Sequence, residues 1–194
     1  MPHKTLGRFL LPHHAGALGP MTCWLCLVLP DHARQYAGNA GYDDEPLTGY
    51  VFDSTVSNGR HLRAGDLLLL TDGTKLVCGG RIARIDRQPG TKPRFRCPSC
   101  RSTALKNRKT VVPDFRCSAC RHEFTAPVTE LIEVDHMTAV FESTWGIRGR
   151  TPSHDHMRRL CQQPASYHSI RRLNNSAIVD LIGHGTRFVV TQAH

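Results

Sequence analysis

Two Cys-x-x-Cys pairs, Cys97/Cys100 and Cys117/Cys120, constrain this chain more than any other feature, and residues 101–116 separate them. Each pair can close a tight knuckle whose two thiolates converge on one point. Two knuckles then supply the four soft donors that a tetrahedral Zn²⁺ ion prefers. The spacing is that of a zinc ribbon, with Zn²⁺ as a structural cofactor. Two disulfides or buried free thiols are the competing readings. The other cysteines, Cys23, Cys26, Cys78 and Cys161, are scattered, and the longest apolar run, residues 21–30, is about half a membrane span. The expected setting is cytoplasmic and away from membranes, where a doubled Cys-x-x-Cys is more often a metal site than a disulfide framework.

The formal charge is +9, and its location matters more than its size. Between Thr91 and Ala126 stand Lys92, Arg94, Arg96, Arg101, Lys106, Arg108, Lys109, Arg116 and Arg121, opposed only by Asp114 and Glu123. A neutral clip has no need of that excess, whereas a nucleic-acid backbone would draw on it. Arg94, Arg96, Arg101, Lys106, Arg108, Lys109, Arg116 and Arg121 are therefore the candidate backbone contacts. A merely solvated charge run is the alternative.

Around the ribbon the chain alternates short apolar runs with turn signals. Residues 1–20 hold Pro, Gly and His without a period and read as a disordered arm. Thr22–Leu29 has strand length and an all-apolar character, so Cys23 and Cys26 should face opposite sides of it. Asp31–Gly38 suits one short helix, and Gly41–Pro46 an acidic loop. Thr48–Asp53 alternates, Asn58-Gly59 gives a turn, and Asp72-Gly73 favours a hairpin. Gly79-Gly80 suggests a bulge or close approach before the strand Arg81–Asp86. Val128–Val134 resumes as a strand, Thr138–Trp145 has helix-compatible spacing, and Gly146–Pro152 reads as a linker. A helix capped by Asn174 or Asn175 and ended by Gly183, then a strand over Thr186–Thr191, complete the chain. The class is α+β, mainly β: a small curled sheet or barrel over 21–150, a zinc ribbon inserted at 92–127, and a short helical segment within 151–194.

The run YVFDSTVSNGRHLRAGDLLLLTDGTKLVCGGRIARI resembles the PUA-like superfamily, which includes SRA, EVE and ASCH domains. The shared pattern is an aromatic-Asp segment, a basic stretch into Gly-Asp and an apolar strand, then a hairpin and a Gly-rich return. The segment SYHSIRRLNNSAIVDLI is similar to one that joins such a domain to an HNH nuclease in modification-dependent restriction proteins. That resemblance implies recognition of a modified base in duplex DNA, typically a modified cytosine, extruded into an aromatic pocket. The chemistry is sound on its own terms, because flipping costs a few kcal/mol that stacking and hydrogen bonding return.

Under that resemblance the matching positions are Tyr50, Phe52 and Asp53. Asp53 is the expected reader of the base edge, Trp24 or Tyr50 the stacking ring, and Ser54 and Asn58 auxiliary donors. Alternation sets Asp53 opposite Tyr50 and Phe52, so one wall cannot hold all three. Core packing competes for each aromatic, and turn capping for Asp53 and Asp66.

Neither a G-x-G-x-x-G nor a G-x-x-x-x-G-K-[ST] phosphate loop is present, and His154, His156 and His184 lack the setting of an HNH nuclease. The sequence reading is therefore a binding module without a catalytic residue, with DNA as the partner and cleavage left to another domain or subunit. An RNA-binding ASCH-like protein, or a nuclease with an unrecognised site around His154–Cys161, are the alternatives.

Overall fold

The TCWLCLVL run forms strand β1 (Cys23–Leu27) and the quadruple-leucine run forms β3 (Leu67–Thr71), which pair in parallel from Cys23–Leu67 to Leu27–Thr71. All five residues of β3 are buried, because side chains cover both faces of the sheet there. Trp24 and Cys26 join one apolar cluster with Tyr50, Phe52, Leu68, Leu70 and Ile170. Leu25 and Leu69 join a second with Met157, Leu173, Leu181 and Phe188, and Cys23 packs on that side. Cys23 and Cys26 thus face opposite ways, as a period of two requires.

The computed structural model describes residues 21–28 and 48–191. The expected arm at 1–20, the helix at 31–38 and the acidic loop at 41–46 lie outside the described residues.

Strands β4 (Leu76–Arg96) and β8 (Val128–Gly149) run antiparallel from Cys78–Gly146 to Arg96–Val128. Along its other edge β8 receives β2 (Gly49–Asp53) at His136–Val140, then β10 (Thr186–Thr191) at Thr144–Gly149. With β9 (Ile170–Arg172) on the far side of β1, the strand path is β10-β8-β4-β3-β1-β9, and β2 branches from β8. The protein is α+β and mainly β, as expected. Among the described residues no pairing joins β9 to β10, so the sheet is open and branched.

Two local expectations change. Thr138–Trp145 is not helical but lies wholly within β8, which continues through Gly149 into the expected linker. Its Thr, Val, Phe and Trp residues suit a pleated surface, and the neighbouring strands supply the pairing that decides the case. Helix α2 (Ala177–Gly183) starts after Ser176 rather than Asn174 or Asn175. The backbone turn Ala177 N–H to Asn174 O, 3.0 Å, precedes it. Helix α1 (His154–Arg159) begins at Ser153, whose Oγ accepts from His156 N–H at 3.2 Å. The two glycines Gly79 and Gly80 mark close approach: a Cβ on Gly80 would sit 2.5 Å from the Phe141 ring. The register shift itself follows one residue later, at Arg81/Ile82.

Beyond β2 the β4–β8 pair continues from Pro89–Asp135 to Arg96–Val128 as a two-stranded arm, about 25 Å of strand at roughly 3.3 Å per residue. Pro89 and Pro93 sit four residues apart on β4, so both present their donor-less nitrogens to the same edge, the one that β8 does not use. At the arm's end β5 (Leu105–Asn107), β6 (Phe115–Cys117) and β7 (Glu123–Phe124) form a separate three-stranded sheet.

Candidate metal centre and ligand cavity

The two Cys-x-x-Cys segments adopt the same backbone twice. Arg101 N–H donates to Cys97 O and Arg121 N–H to Cys117 O, both at 3.0 Å. Cys97 N–H donates to Ser102 O and Cys117 N–H to His122 O, both at 2.9 Å. Arg101 and Arg121 each take φ 63°, a left-handed conformation that costs a non-glycine residue roughly 1 kcal/mol or more. Repeating that cost in both knuckles is intelligible where the geometry serves a common purpose.

Together the knuckles gather four sulfurs that all lie within 4.8 Å of one another. Cys97 and Cys120 are 3.6 Å apart at Sγ, as are Cys100 and Cys117. A tetrahedral ion with metal–sulfur bonds of about 2.3 Å would set sulfur–sulfur distances of about 3.8 Å, so the four fit a single ion. The N–H groups of Cys120 and then Ala119 bring the Cys117 thiol down to about 6, against the opposing effect of burial. Cys100 receives a lowering bond from Ser102 N–H, yet the neighbouring thiols of Cys120, Cys117 and Cys97 push it up to about 12. The sulfurs crowd one another, and one thiolate forms well before the next. Cys97, Leu105, Cys117 and Phe124 are the only buried residues of the ribbon's own apolar cluster, with Phe95 and Phe115 packed on it.

The eight candidate backbone contacts divide into two groups. Glu130 of β8 accepts from Arg96 Nε at 2.6 Å and pairs with Arg101 at 3.5 Å. Glu123 pairs with Arg108 at 2.9 Å and with Arg116 at 3.9 Å. Arg108 also donates to Pro113 O, through Nε at 3.0 Å. Arg94, Lys106, Lys109 and Arg121 have no ion-pair partner among the described residues, and the last three are exposed.

The six residues expected to meet a base also separate. Tyr50 and Phe52 stand on one face of β2, but that face is the core: their rings stack at 5.8 Å and they are 3% and 0% exposed. Asp53 is fully buried and engaged at both oxygens. Thr55 N–H and Oγ–H donate to Oδ1 at 2.7 and 2.5 Å, and the Lys92 ammonium donates to Oδ2. Ser54 lies elsewhere, in a groove with Arg60, Gly90, Glu133 and Asp135, where its Oγ accepts from Asp135 N–H at 3.1 Å. Within β8, Asp135 and His136 are consecutive strand residues on opposite faces.

Trp24 and Asn58 do come together. They line a cavity of about 280 Å³ with Thr22, His61, Gln162, Gln163, Ser166, Arg171 and Arg172, near the lower end of the range for small-ligand sites. Asp66 holds the indole in place, accepting from Trp24 Nε1–H at 3.0 Å, and closes its own turn by accepting from Arg63 N–H at 3.0 Å. Asn58 takes φ 68° at the start of a short 3₁₀ turn (Gly59–His61), and its Nδ2 donates to Ile170 O of β9 at 2.8 Å. The amide oxygen is left without a partner among the described residues.

Arg171 is the unusual member of the lining. It is 7% exposed, and its Nε and Nη1 have no hydrogen-bond partner among the described residues. Burial, then the Arg158 charge, pull its pKa below the usual arginine range. Among the described residues no carboxylate lines the cavity. Gln162, Gln163 and Ser166 carry no sequence signal, since they reach the cavity from a loop whose Gln162 N–H bonds Arg172 O across the edge of β9.

The histidines near the C-terminal end divide as well. His154 is held against the sheet, its Nδ1 3.1 Å from Thr71 Oγ1. His156 and His184 meet edge to face with ring centroids 5.2 Å apart. Burial pushes the Cys161 thiol up to about 11, which suits an inert core cysteine rather than a nucleophile. Among the described residues no helix is long and apolar enough to cross a membrane. Comparison with protein-family models, curated proteins and solved structures finds no match to this chain.

Proposed function

We propose that this chain is a DNA-binding specificity module that reads a modified base, most simply a modified cytosine, in the cavity beside Trp24 and Asn58. The observation that carries the reading is the composition of that cavity: one anchored aromatic ring that is itself only 5% exposed, the amides of Asn58, Gln162 and Gln163, and two arginines, with no carboxylate among the described lining residues. A flipped base needs a flat surface to stack on and amides to match its edge, while its flanking phosphates need cations. The resemblance of residues 50–85 to PUA-like domains supports the same reading. Asp53 has no part in it, since its carboxylate is committed to Thr55 and Lys92.

In this reading the four-cysteine centre is a structural zinc site, formed by Cys97, Cys100, Cys117 and Cys120. The ion would supply the folding energy that so small an apolar cluster lacks. The ribbon's unpaired cations, Arg94, Lys106, Lys109 and Arg121, would hold the backbone without regard to sequence, and the cavity would choose the base.

A panel of otherwise identical duplexes carrying cytosine, 5-methylcytosine, 5-hydroxymethylcytosine or a phosphorothioate, with a structured RNA alongside, tests the proposal. The expected result is a preference of about tenfold or more, on the order of 1.4 kcal/mol, for one modified-base duplex, lost in Trp24→Ala. Equal affinity for all duplexes would end the base-reading half, and tighter binding to the RNA would replace DNA as the partner.

A further inference from the structure

A second cavity, of about 260 Å³, lies away from Trp24 and is lined by Arg150, His156, Arg159, His184, Ser153 and Thr186 among others. Its cationic groups come from three separate elements. Arg150 follows β8, His156 and Arg159 stand three apart on α1 and so share a face, and His184 follows α2. The backbone there is tied down: Arg150 N–H donates to Gly185 O at 3.2 Å, and Thr186 Oγ–H donates to Arg150 O at 2.9 Å. We propose that this cavity binds a phosphate group, held by Arg150 and Arg159 and completed by the imidazoles of His156 and His184.

The charge of the lining favours an anion over the metal ion that two adjacent histidines would otherwise suggest. Among the described residues no carboxylate or thiol lines the cavity, and two guanidinium groups would repel a cation. His184 Nδ1 lies 2.6 Å from Asp180 O and so carries its proton there, which fixes the ring and means that Nε2 can donate to a phosphate oxygen only from the imidazolium form. His156 Nε2 is buried with no hydrogen-bond partner among the described residues.

The electrostatics run the same way. Burial first, then His184, Arg159 and Arg150, hold His156 below the usual histidine range, and only Asp180 opposes them. Asp180 is itself engaged, accepting from Ser176 Oγ–H at 3.0 Å. A bound anion would offset the charges of Arg159 and Arg150 and let the ring take a second proton.

This proposal does not rest on base reading, and its probes carry no modified base. Side-chain resonances of the histidines in the full, metal-loaded chain are followed while inorganic phosphate, and separately an unmodified twelve-base-pair duplex, is added. Chloride at matched ionic strength is the reference. The expected result is a saturable shift of His156 and His184 with phosphate, His61 and His136 staying still. Arg150→Gln with Arg159→Gln, both exposed in the parent, should weaken that response about tenfold or more as two charge-assisted donors are removed. A matching shift with the duplex assigns the phosphate to a nucleic-acid backbone, and a shift with phosphate alone assigns it to a free phosphate or phosphomonoester. If neither ring moves beyond the chloride reference, or the double variant responds like the parent, the site is not a phosphate site.

Discussion

Lys92, on the arm that carries the ribbon, donates to the carboxylate of Asp53, a residue with no exposed surface on β2. The same ammonium donates to Thr55 Oγ1 at 2.7 Å, so one side chain closes a three-residue knot between arm and body. A two-stranded ribbon of β-structure is marginal by itself, and this knot is what braces its root.

Removing Lys92 leaves the charge of the fully buried Asp53 without its counter-ion. Lys92→Met should destabilise the body by about 3–5 kcal/mol, read as a lower urea midpoint. Asp53→Leu combined with Lys92→Met should recover much of that loss. A single Lys92→Met variant as stable as the parent would mean that water, rather than Lys92, satisfies Asp53.

The ribbon's apolar cluster buries four residues, two of them cysteines, which is too little to hold its sheet without a bound ion. One zinc ion per chain is expected by elemental mass spectrometry. Cys97→Ser or Cys117→Ser should abolish it and remove the ribbon's amide protection, leaving the signals of Leu67–Thr71 in place. Protection of 95–124 unchanged by a chelator would show that the ribbon folds without metal.

If four unpaired cations face the backbone, log K against log salt should fall with a slope of about −3.6. Replacing Lys106, Lys109 and Arg121 with Gln should flatten it by about 0.9 for each phosphate no longer neutralised. Arg108→Gln should change it least, because Glu123 engages that guanidinium with both oxygens, at 2.9 and 3.0 Å. Equal effects at all four positions would mean that the ribbon's own ion pairs open on binding.

His154 is kept neutral, chiefly by burial and then by Arg171 and Arg158, which lower its pKa. Thr71 donates its hydroxyl proton to Lys75 O at 2.8 Å, so the ring must donate from Nδ1 to Thr71 Oγ1. The unfolded chain, with histidines near 6.5, then binds protons that the folded chain refuses. That stability is fully present above about pH 6.5 and declines as the pH falls below it. His154→Asn should be less stable at pH 7.5 but should lose less between pH 7 and 5.5 in thermal unfolding. Parallel pH profiles for variant and parent would contradict this assignment.

What the sequence makes legible is local. The Cys-x-x-Cys spacing specifies the two knuckles because each is complete within about six residues. The alternation of Tyr50 and Phe52 correctly puts both on one side of a strand, but alternation cannot tell a pocket wall from a core. The buried role of Asp53 is hidden for the same reason, since its partner Lys92 stands 39 residues away and arrives through a pairing that no local pattern encodes. Thr138–Trp145 has spacing that a helix could use, and only the presence of β4 alongside makes it a strand. Trp24 and Asn58 are each legible as candidates, while the loop that completes their cavity follows from the position of β9.

Pro89 and Pro93 bear on how the protein behaves in company. A long two-stranded arm leaves an open rank of backbone donors and acceptors, the surface on which another copy could lay a strand and begin a chain of copies. Two positions on that rank have no N–H to offer, and Arg94, which has no ion-pair partner among the described residues, sets charge beside Pro93. Pro89→Thr with Pro93→Thr should leave the fold intact yet promote self-association, visible as concentration-dependent scattering. Dispersal in solution, as much as shape, is written into that edge.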